Sequence, residues 1–144
     1  MMRILPASIN DSPSLASLSA QLGYPISPAE IGMAVERALA DPGQTVFVAR
    51  TEADVVAGWV HAFMRPMLMV ERHIEVGALV VDENQRGQGI GRMLMAAVEA
   101  WAKEQGCTTV FLRSGEQRVD AHRFYDSIGY QRLKVSQTFI KKLE

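Results

Sequence analysis

The stretch Gln85-Arg86-Gly87-Gln88-Gly89-Ile90-Gly91-Arg92 joins an apolar strand end, Leu79-Val80-Val81, to a helix with apolar residues at helical spacing. Its three glycines alternate along the chain, and a glycine lacks the Cβ that would hold a ligand away from the backbone. The first turn of a helix leaves about four amides unpaired and carries roughly half a positive charge. We therefore predict that residues 86 to 92 hold the pyrophosphate of a nucleotide-like cofactor.

Spacing excludes two common phosphate-binding loops. A dinucleotide fingerprint, Gly-x-Gly-x-x-Gly, started from Gly87 or Gly89, would need a glycine where Arg92 or Leu94 stands. A Walker loop needs a Gly-Lys pair, which the chain lacks. Neither a Rossmann site nor nucleoside triphosphate hydrolysis is supported.

Two motifs, in order, carry a resemblance to a known family. The pattern Arg86-x-x-Gly89-x-Gly91 resembles the acyl-CoA pyrophosphate loop of the GNAT superfamily of N-acetyltransferases. The later run 121–130, Ala-His-Arg-Phe-Tyr-Asp-Ser-Ile-Gly-Tyr, resembles the family's Ala-x-x-Phe-Tyr motif with its following Gly-aromatic pair. The resemblance covers about residues 45 to 143.

This resemblance implies an α/β fold: a mixed, mostly antiparallel twisted sheet with helices on both faces and a V-shaped splay between the two central parallel strands. It implies acetyl-CoA as cosubstrate. Arg118 departs from the family, which often has Asn there, and an arginine at that position would meet the cofactor phosphates instead. The residues expected to contact the cofactor are Leu79, Val80, Val81, Arg86, Gly87, Gln88, Gly89, Ile90, Gly91, Arg92, Arg118 and Tyr125.

The chain is predicted to form one domain, residues 1 to 144, because that length suits a single core. Apolar periodicity and capping signals predict helices over about 13–22, 28–40, 89–104 and 119–128. Strands are predicted over 3–6, 45–50, 55–63, 71–81 and 107–112, with one or two more over 130–143. Strand, helix and strand around the glycine turn suggest a parallel pair within a largely antiparallel sheet.

Acetyl transfer to an amine needs a proton acceptor for the nucleophile and a proton donor for the departing thiolate. Glu75 is the predicted base, directly or through water, since alternation places it on the strand face of Leu79 and Val81 and the resemblance implies a glutamate at this position. Glu71 and His73 share that parity and are alternatives. The resemblance makes Tyr125 the predicted acid, because a phenol of pKa about 10 can protonate a thiolate whose conjugate acid lies near 8.5.

The cysteine and the histidines give weaker indications of chemistry. Cys107 opens a strand without an adjacent base, which favours a buried cysteine over a covalent acetyl carrier. The three histidines show no metal-ligand spacing, so no metal is assigned.

The composition of the chain argues against two classes of binding partner, nucleic acids and membranes. A net charge of −1 predicts no nucleic-acid binding, and no apolar run approaches the roughly 18 residues of a membrane helix. One cysteine and the lack of an export signal favour a cytoplasmic protein. A homodimer is possible, since dimers are common among proteins of this resemblance. The predicted function is transfer of an acetyl group from acetyl-CoA to a primary amine in a ternary complex; the alternatives are a non-catalytic acyl-CoA-binding or regulatory module and a partner-binding structural domain.

Overall fold

Five strands form one sheet in the order β1 to β5 in a computed structural model that describes all residues from 1 to 144. The strands are β1 Arg3–Pro6, β2 Gln44–Arg50, β3 Val56–Arg65, β4 His73–Val81 and β5 Val110–Leu112. The first three pairings are antiparallel, and β4 pairs with β5 in parallel. The predicted mixed, mostly antiparallel sheet is confirmed.

The chain forms two compact units, Met1–Leu112 and Arg113–Glu144. The first contains the sheet and the helices α1 Ser12–Gln21, α2 Pro28–Leu39 and α3 Ile90–Glu104, and the second contains α4 Val119–Ser127. No helix is both long enough and apolar enough to cross a bilayer.

Local chemistry sets the helix ends where the sequence predicts them. Ser27 caps α2, since its hydroxyl accepts from the Glu30 amide at 3.1 Å while the Glu30 carboxylate accepts from the Ser27 amide at 3.3 Å. Pro28 occupies the first turn, where its missing N–H costs nothing. At the C-terminal end of α3, Gly106 adopts a φ of +79°, and this left-handed conformation ends the helix.

The helices cover both faces of the sheet. On one face α1 and α2 enclose an apolar cluster that includes Val48, Trp59 and Val80 from three neighbouring strands. On the other face α3 lies over Gly58 of β3, where Ile90 and Leu94 approach within van der Waals reach. We call these the α1/α2 face and the α3 face.

Strand β4 bulges at Gly77. Ala78 lies opposite His61 and Val76 lies opposite Ala62, so Gly77 has no partner residue on β3. An extra residue inverts the alternation of side chains before and after it. The pairing of β4 with β5 ends at Val76, opposite Leu112, which is the last residue of β5.

The bulge corrects the predicted position of Glu75. Residues opposite each other in an antiparallel pair share a face. Glu75 lies opposite Phe63, on the α1/α2 face, whereas Val81 lies opposite Gly58 on the α3 face. Glu75 therefore does not share a face with Leu79 and Val81, as simple alternation suggested.

Other predictions also differ from the structure, and one is the start of β5, which begins at Val110 and not at Cys107. Strand β3 continues through Met64 and Arg65, because Ile74 and His73 pair with them. Glu71 precedes β4 and so lies outside the strand in which it was a candidate base. Residues 130–144, where one or two strands were predicted, form no strand and pair with none of β1 to β5.

Gly58 permits the close approach of α3 to the sheet. A Cβ on Gly58 would lie 2.8 Å from the Val80 carbonyl oxygen and 3.3 Å from side-chain carbons of Ile90 and Leu94. Gly58→Ala is therefore expected to destabilise the protein by about 2 kcal/mol, measured by urea denaturation, because backbone and packed side chains cannot yield cheaply. Gly115→Ala is the control: its Cβ would meet only the movable Gln117 side chain, and its effect should stay within about 0.5 kcal/mol.

Candidate functional site

The glycine turn lies between the end of β4 and the start of α3. Asp82 caps a short 3-10 turn over Glu83–Gln85 by accepting from the Asn84 amide at 3.1 Å. The chain then passes Gly87 at a φ of +83° and Gly89 at +79°, conformations that side chains disfavour. A Cβ at either glycine would have no protein atom within 4 Å, so the space on that side of each glycine is open.

The amides of this turn are available to a ligand. The hydrogen bonds of the protein include none donated by the backbone N–H groups of residues 86–92, and the first α3 bond is from the Met93 amide to the Gly89 carbonyl. Arg86 folds back, with Nε donating to the Val81 carbonyl at 3.4 Å. Consecutive unpaired amides at a helix start, with Arg86 and Arg92 beside them, form a site that suits a diphosphate.

The buried side chain of Glu75 lies among polar side chains on the α1/α2 face. Its side chain accepts from Nη1 of Arg65 at 3.1 Å, and the residue is 7% exposed. His73 Nε2 lies 4.0 Å from the other Glu75 oxygen, while His73 Nδ1 donates to the Glu71 carbonyl at 3.1 Å. Phe111 of β5 packs on the His73 ring with centroids 4.3 Å apart.

A second polar group lies on the same face at the bulge. His61 Nε2 is 2.9 Å from Oε1 of Gln44, and the Gln44 amide nitrogen donates to Asp41 Oδ2 at 3.0 Å. The His61 ring lies beside Phe63, with centroids 5.6 Å apart. Burial lowers the pKa of His61 below its usual range, so its ring is neutral near pH 7.

The second unit contains the other two predicted site residues. Tyr125 lies on α4 in an aromatic cluster, with the rings of Phe124 at 5.2 Å and Tyr130 at 6.1 Å. Burial raises the pKa of Tyr125, and the positive charge of Arg118 opposes this only in part. A cavity of ≈ 310 Å³ at the start of α4 is lined by residues 117–121, including Arg118.

The glycine turn, Glu75 and the α4 motif were predicted as site candidates from the sequence, whereas three polar side chains of the α1/α2 face were not. Gln44, His61 and Arg65 were not singled out, although His61, Phe63 and Arg65 alternate along β3 as residues on one face must. That alternation was the available signal. Cys107 is 2% exposed, in agreement with the prediction of a buried cysteine.

A family comparison matches most of the chain. The sequence profile described as "Acetyltransferase (GNAT) family" matches residues 15–130. The chain is 32% identical to human N-acetyltransferase 8 over 102 residues, which is 70% of this chain and 44% of that protein. It is 42% identical over 59 residues to a Bacillus subtilis protein named "uncharacterized N-acetyltransferase YhdJ", covering 40% of this chain and 42% of that one. The chain thus spans less than half the length of these curated relatives.

Solved structures share the fold over the whole chain. The aminoglycoside 6'-N-acetyltransferase AAC(6')-Ih from Acinetobacter baumannii superposes with a TM-score of 0.88 at 18% identity, covering 100% of both chains. AAC(6')-Iy, solved with the bisubstrate analog CoA-S-monomethyl-acetylneamine, gives a TM-score of 0.86 at 18% identity and covers 99% of both chains. At this identity the likeness concerns the fold.

Proposed function

The chain belongs to the acetyltransferase (GNAT) family, and from this premise we propose that it transfers an acetyl group from acetyl-CoA to a primary amine of a small molecule or a protein, by direct attack in a ternary complex. One observation supports this most. Unpaired amides follow one another through residues 86–92, and the last residues of the preceding strand, Gly77 to Val81, have no partner on β5. A diphosphate and an extended acyl arm can use those two sets of backbone groups together.

The residues that would hold acetyl-CoA follow from this arrangement. The N–H groups of Arg86 to Arg92 take the pyrophosphate, with the two arginine side chains adding charge. The backbone of Leu79 to Val81, beyond the last β5 pair, takes the acyl arm. In the second unit, Arg118 and Tyr125 are assigned to the cofactor as well. When bound, acetyl-CoA supplies the activated acetyl thioester.

Two side chains are assigned to proton transfer. An acceptor amine of pKa about 10.4 is almost entirely protonated at pH 7, so it must lose a proton before it attacks. Glu75, directly or through one water, takes that proton. Tyr125 gives a proton to the departing thiolate.

Replacing Glu75 by glutamine is expected to lower kcat/KM for the amine by about tenfold or more, because the proton acceptor and its negative charge are both lost. The dissociation constant of CoA should not change. Steady-state kinetics at several pH values and calorimetry with CoA measure the two quantities. A kcat/KM within about twofold of the wild type would remove Glu75 from the mechanism.

The proposed activity is tested with purified protein, acetyl-CoA and a panel of amines, by following release of the CoA thiol. Aminoglycosides belong in the panel because fold neighbours act on them, beside polyamines, amino acids and lysine peptides. We expect slow background release of the CoA thiol by hydrolysis of acetyl-CoA, and faster release of the thiol when one class of amine is added. CoA binding without any acceleration would favour the alternative of a non-catalytic acyl-CoA-binding module, and no heat of binding with CoA would favour a structural domain.

A further inference from the structure

A chain of hydrogen bonds fixes the orientation of His61. The Gln44 side-chain amide, and next the Gly43 backbone amide, lower the pKa of Asp41, so its carboxylate is ionised and only accepts hydrogen bonds. Gln44 must therefore direct its NH₂ group toward Asp41 and its carbonyl oxygen toward His61. A carbonyl oxygen also only accepts, so Nε2 of His61 is the nitrogen that carries the proton. Neutral His61 then has its lone pair on Nδ1.

That lone pair lies at the bulge of β4. A Cβ on Gly77 would be 3.0 Å from His61 Nδ1, so the ring packs directly against the glycine backbone. Gly77 is itself exposed, although it lies inside a strand whose preceding residues are buried. His61 and Glu75 lie on the same face on either side of this open point.

Acetylation of a cationic amine removes two protons from one nitrogen. The first leaves before attack, and the proposed function assigns it to Glu75. The second must leave once the C–N bond has formed, because the amide product carries one proton fewer than the attacking amine. At that point Glu75 either still holds the first proton or must release it before it can accept another. A second proton acceptor therefore removes the need to wait for that release.

We propose that Nδ1 of His61, oriented by Gln44 and Asp41, accepts this second proton; the inference rests on the proposed function. The C–N bond forms and the C–S bond breaks. The nitrogen gives its second proton to His61, and the thiolate takes a proton from Tyr125. Exchange with solvent then returns His61 to its neutral form and Tyr125 to its phenol.

The surroundings of His61 suit a base that works at neutral pH. Asp41 acts through Gln44 from the turn before β2, while Glu75, Arg65 and His73 share the face from β3 and β4. Helix α1, which packs on both strands, contains no titratable side chain, and the charged residues of α2 are exposed. Desolvation dominates and lowers the pKa of His61, so the base is present at pH 7 and is lost as the pH falls below that lowered value.

A test without turnover uses the free protein. Long-range ¹H–¹⁵N spectra of labelled protein distinguish protonated from unprotonated ring nitrogens, and His61→Gln assigns the signals. We expect His61 to be the Nε2–H tautomer and to titrate below the usual histidine pKa of 6.5. A proton on Nδ1, or a midpoint at or above 6.5, would overturn the proposal. In Gln44→Leu the preference for the Nε2–H tautomer should weaken, which separates orientation from burial.

The kinetic test uses His61→Gln, since the glutamine NH₂ group can replace the Nε2–H donor to Gln44 while no base remains at Nδ1. In His61→Gln we expect kcat to fall about 10²-fold and the Kd of CoA to stay within about twofold of the wild type. The decrease of kcat at acid pH, centred on the His61 titration midpoint in the wild type, should disappear. His122→Gln, a histidine of the second unit, should keep that decrease. An unchanged decrease at acid pH in His61→Gln refutes the role of His61 alone, whereas a wild-type protein that acetylates no amine refutes the proposed function and this proposal with it.

Discussion

Gly89→Val is expected to raise the dissociation constant of CoA by about 100-fold or more. Gly89 is the N-cap of α3 at a φ of +79°, in the middle of the unpaired amides. A branched side chain there enters the space that the pyrophosphate needs, and it shifts the backbone toward negative φ. Losing one or two charge-assisted hydrogen bonds of about 1.5–3 kcal/mol each is enough for this effect.

A matched control exists at the other end of the same helix. Gly106 has the same φ of +79° and, like Gly89, has no atom within 4 Å of the point where a Cβ would lie. Gly106→Val should therefore cost similar stability, about 1–3 kcal/mol, without weakening CoA binding. Calorimetric titration and thermal unfolding of both variants separate the two effects. Equal affinities for CoA in Gly89→Val and the wild type would show that the turn does not hold the cofactor.

The local signals of the sequence were sufficient for the helices and the turn. The Ser27 capping box, the stop at Gly106 and the alternating glycines depend on residues within a few positions of each other, so their geometry follows from the sequence. The face of the sheet on which Glu75 lies could not be predicted in the same way, because it depends on how β4 pairs with β3. A glycine within a strand is compatible with a bulge, but only the register shows that Gly77 is skipped.

The polar side chains of the α1/α2 face show the same limit. His61 becomes significant only beside Gln44, 17 residues earlier, and Arg65 only beside Glu75, 10 residues later. Both contacts require the strand register, and the predicted strand ended at Phe63, two residues before Arg65. Residues 130–144 show the reverse case, since strands were predicted there but no pairing stabilises one.

Tyr125→Phe is expected to lower kcat about 10²–10³-fold and to leave CoA affinity nearly unchanged. The phenol is the proposed proton donor to the thiolate, and the substitution removes the hydroxyl while it keeps the ring that packs on Phe124 and Tyr130. Proton transfer from a phenol of pKa about 10 to a thiolate with a conjugate acid near 8.5 is uphill by about 2 kcal/mol. Formation of the amide must drive that step, and the charge of Arg118 lessens its cost by favouring the phenolate.

The raised pKa of Tyr125 also determines how kcat should depend on pH. An acid acts only while protonated, and burial raises the pKa of Tyr125 above the usual tyrosine value of 10.0, so its contribution persists through neutral pH and is lost only above that raised value. Wild-type kcat should therefore show no alkaline limb from Tyr125 below about pH 10. Tyr130→Phe removes the neighbouring phenol of the same cluster and should cause no comparable loss. A Tyr125→Phe enzyme with kcat within about twofold of the wild type would mean that the thiolate leaves without a proton from this residue.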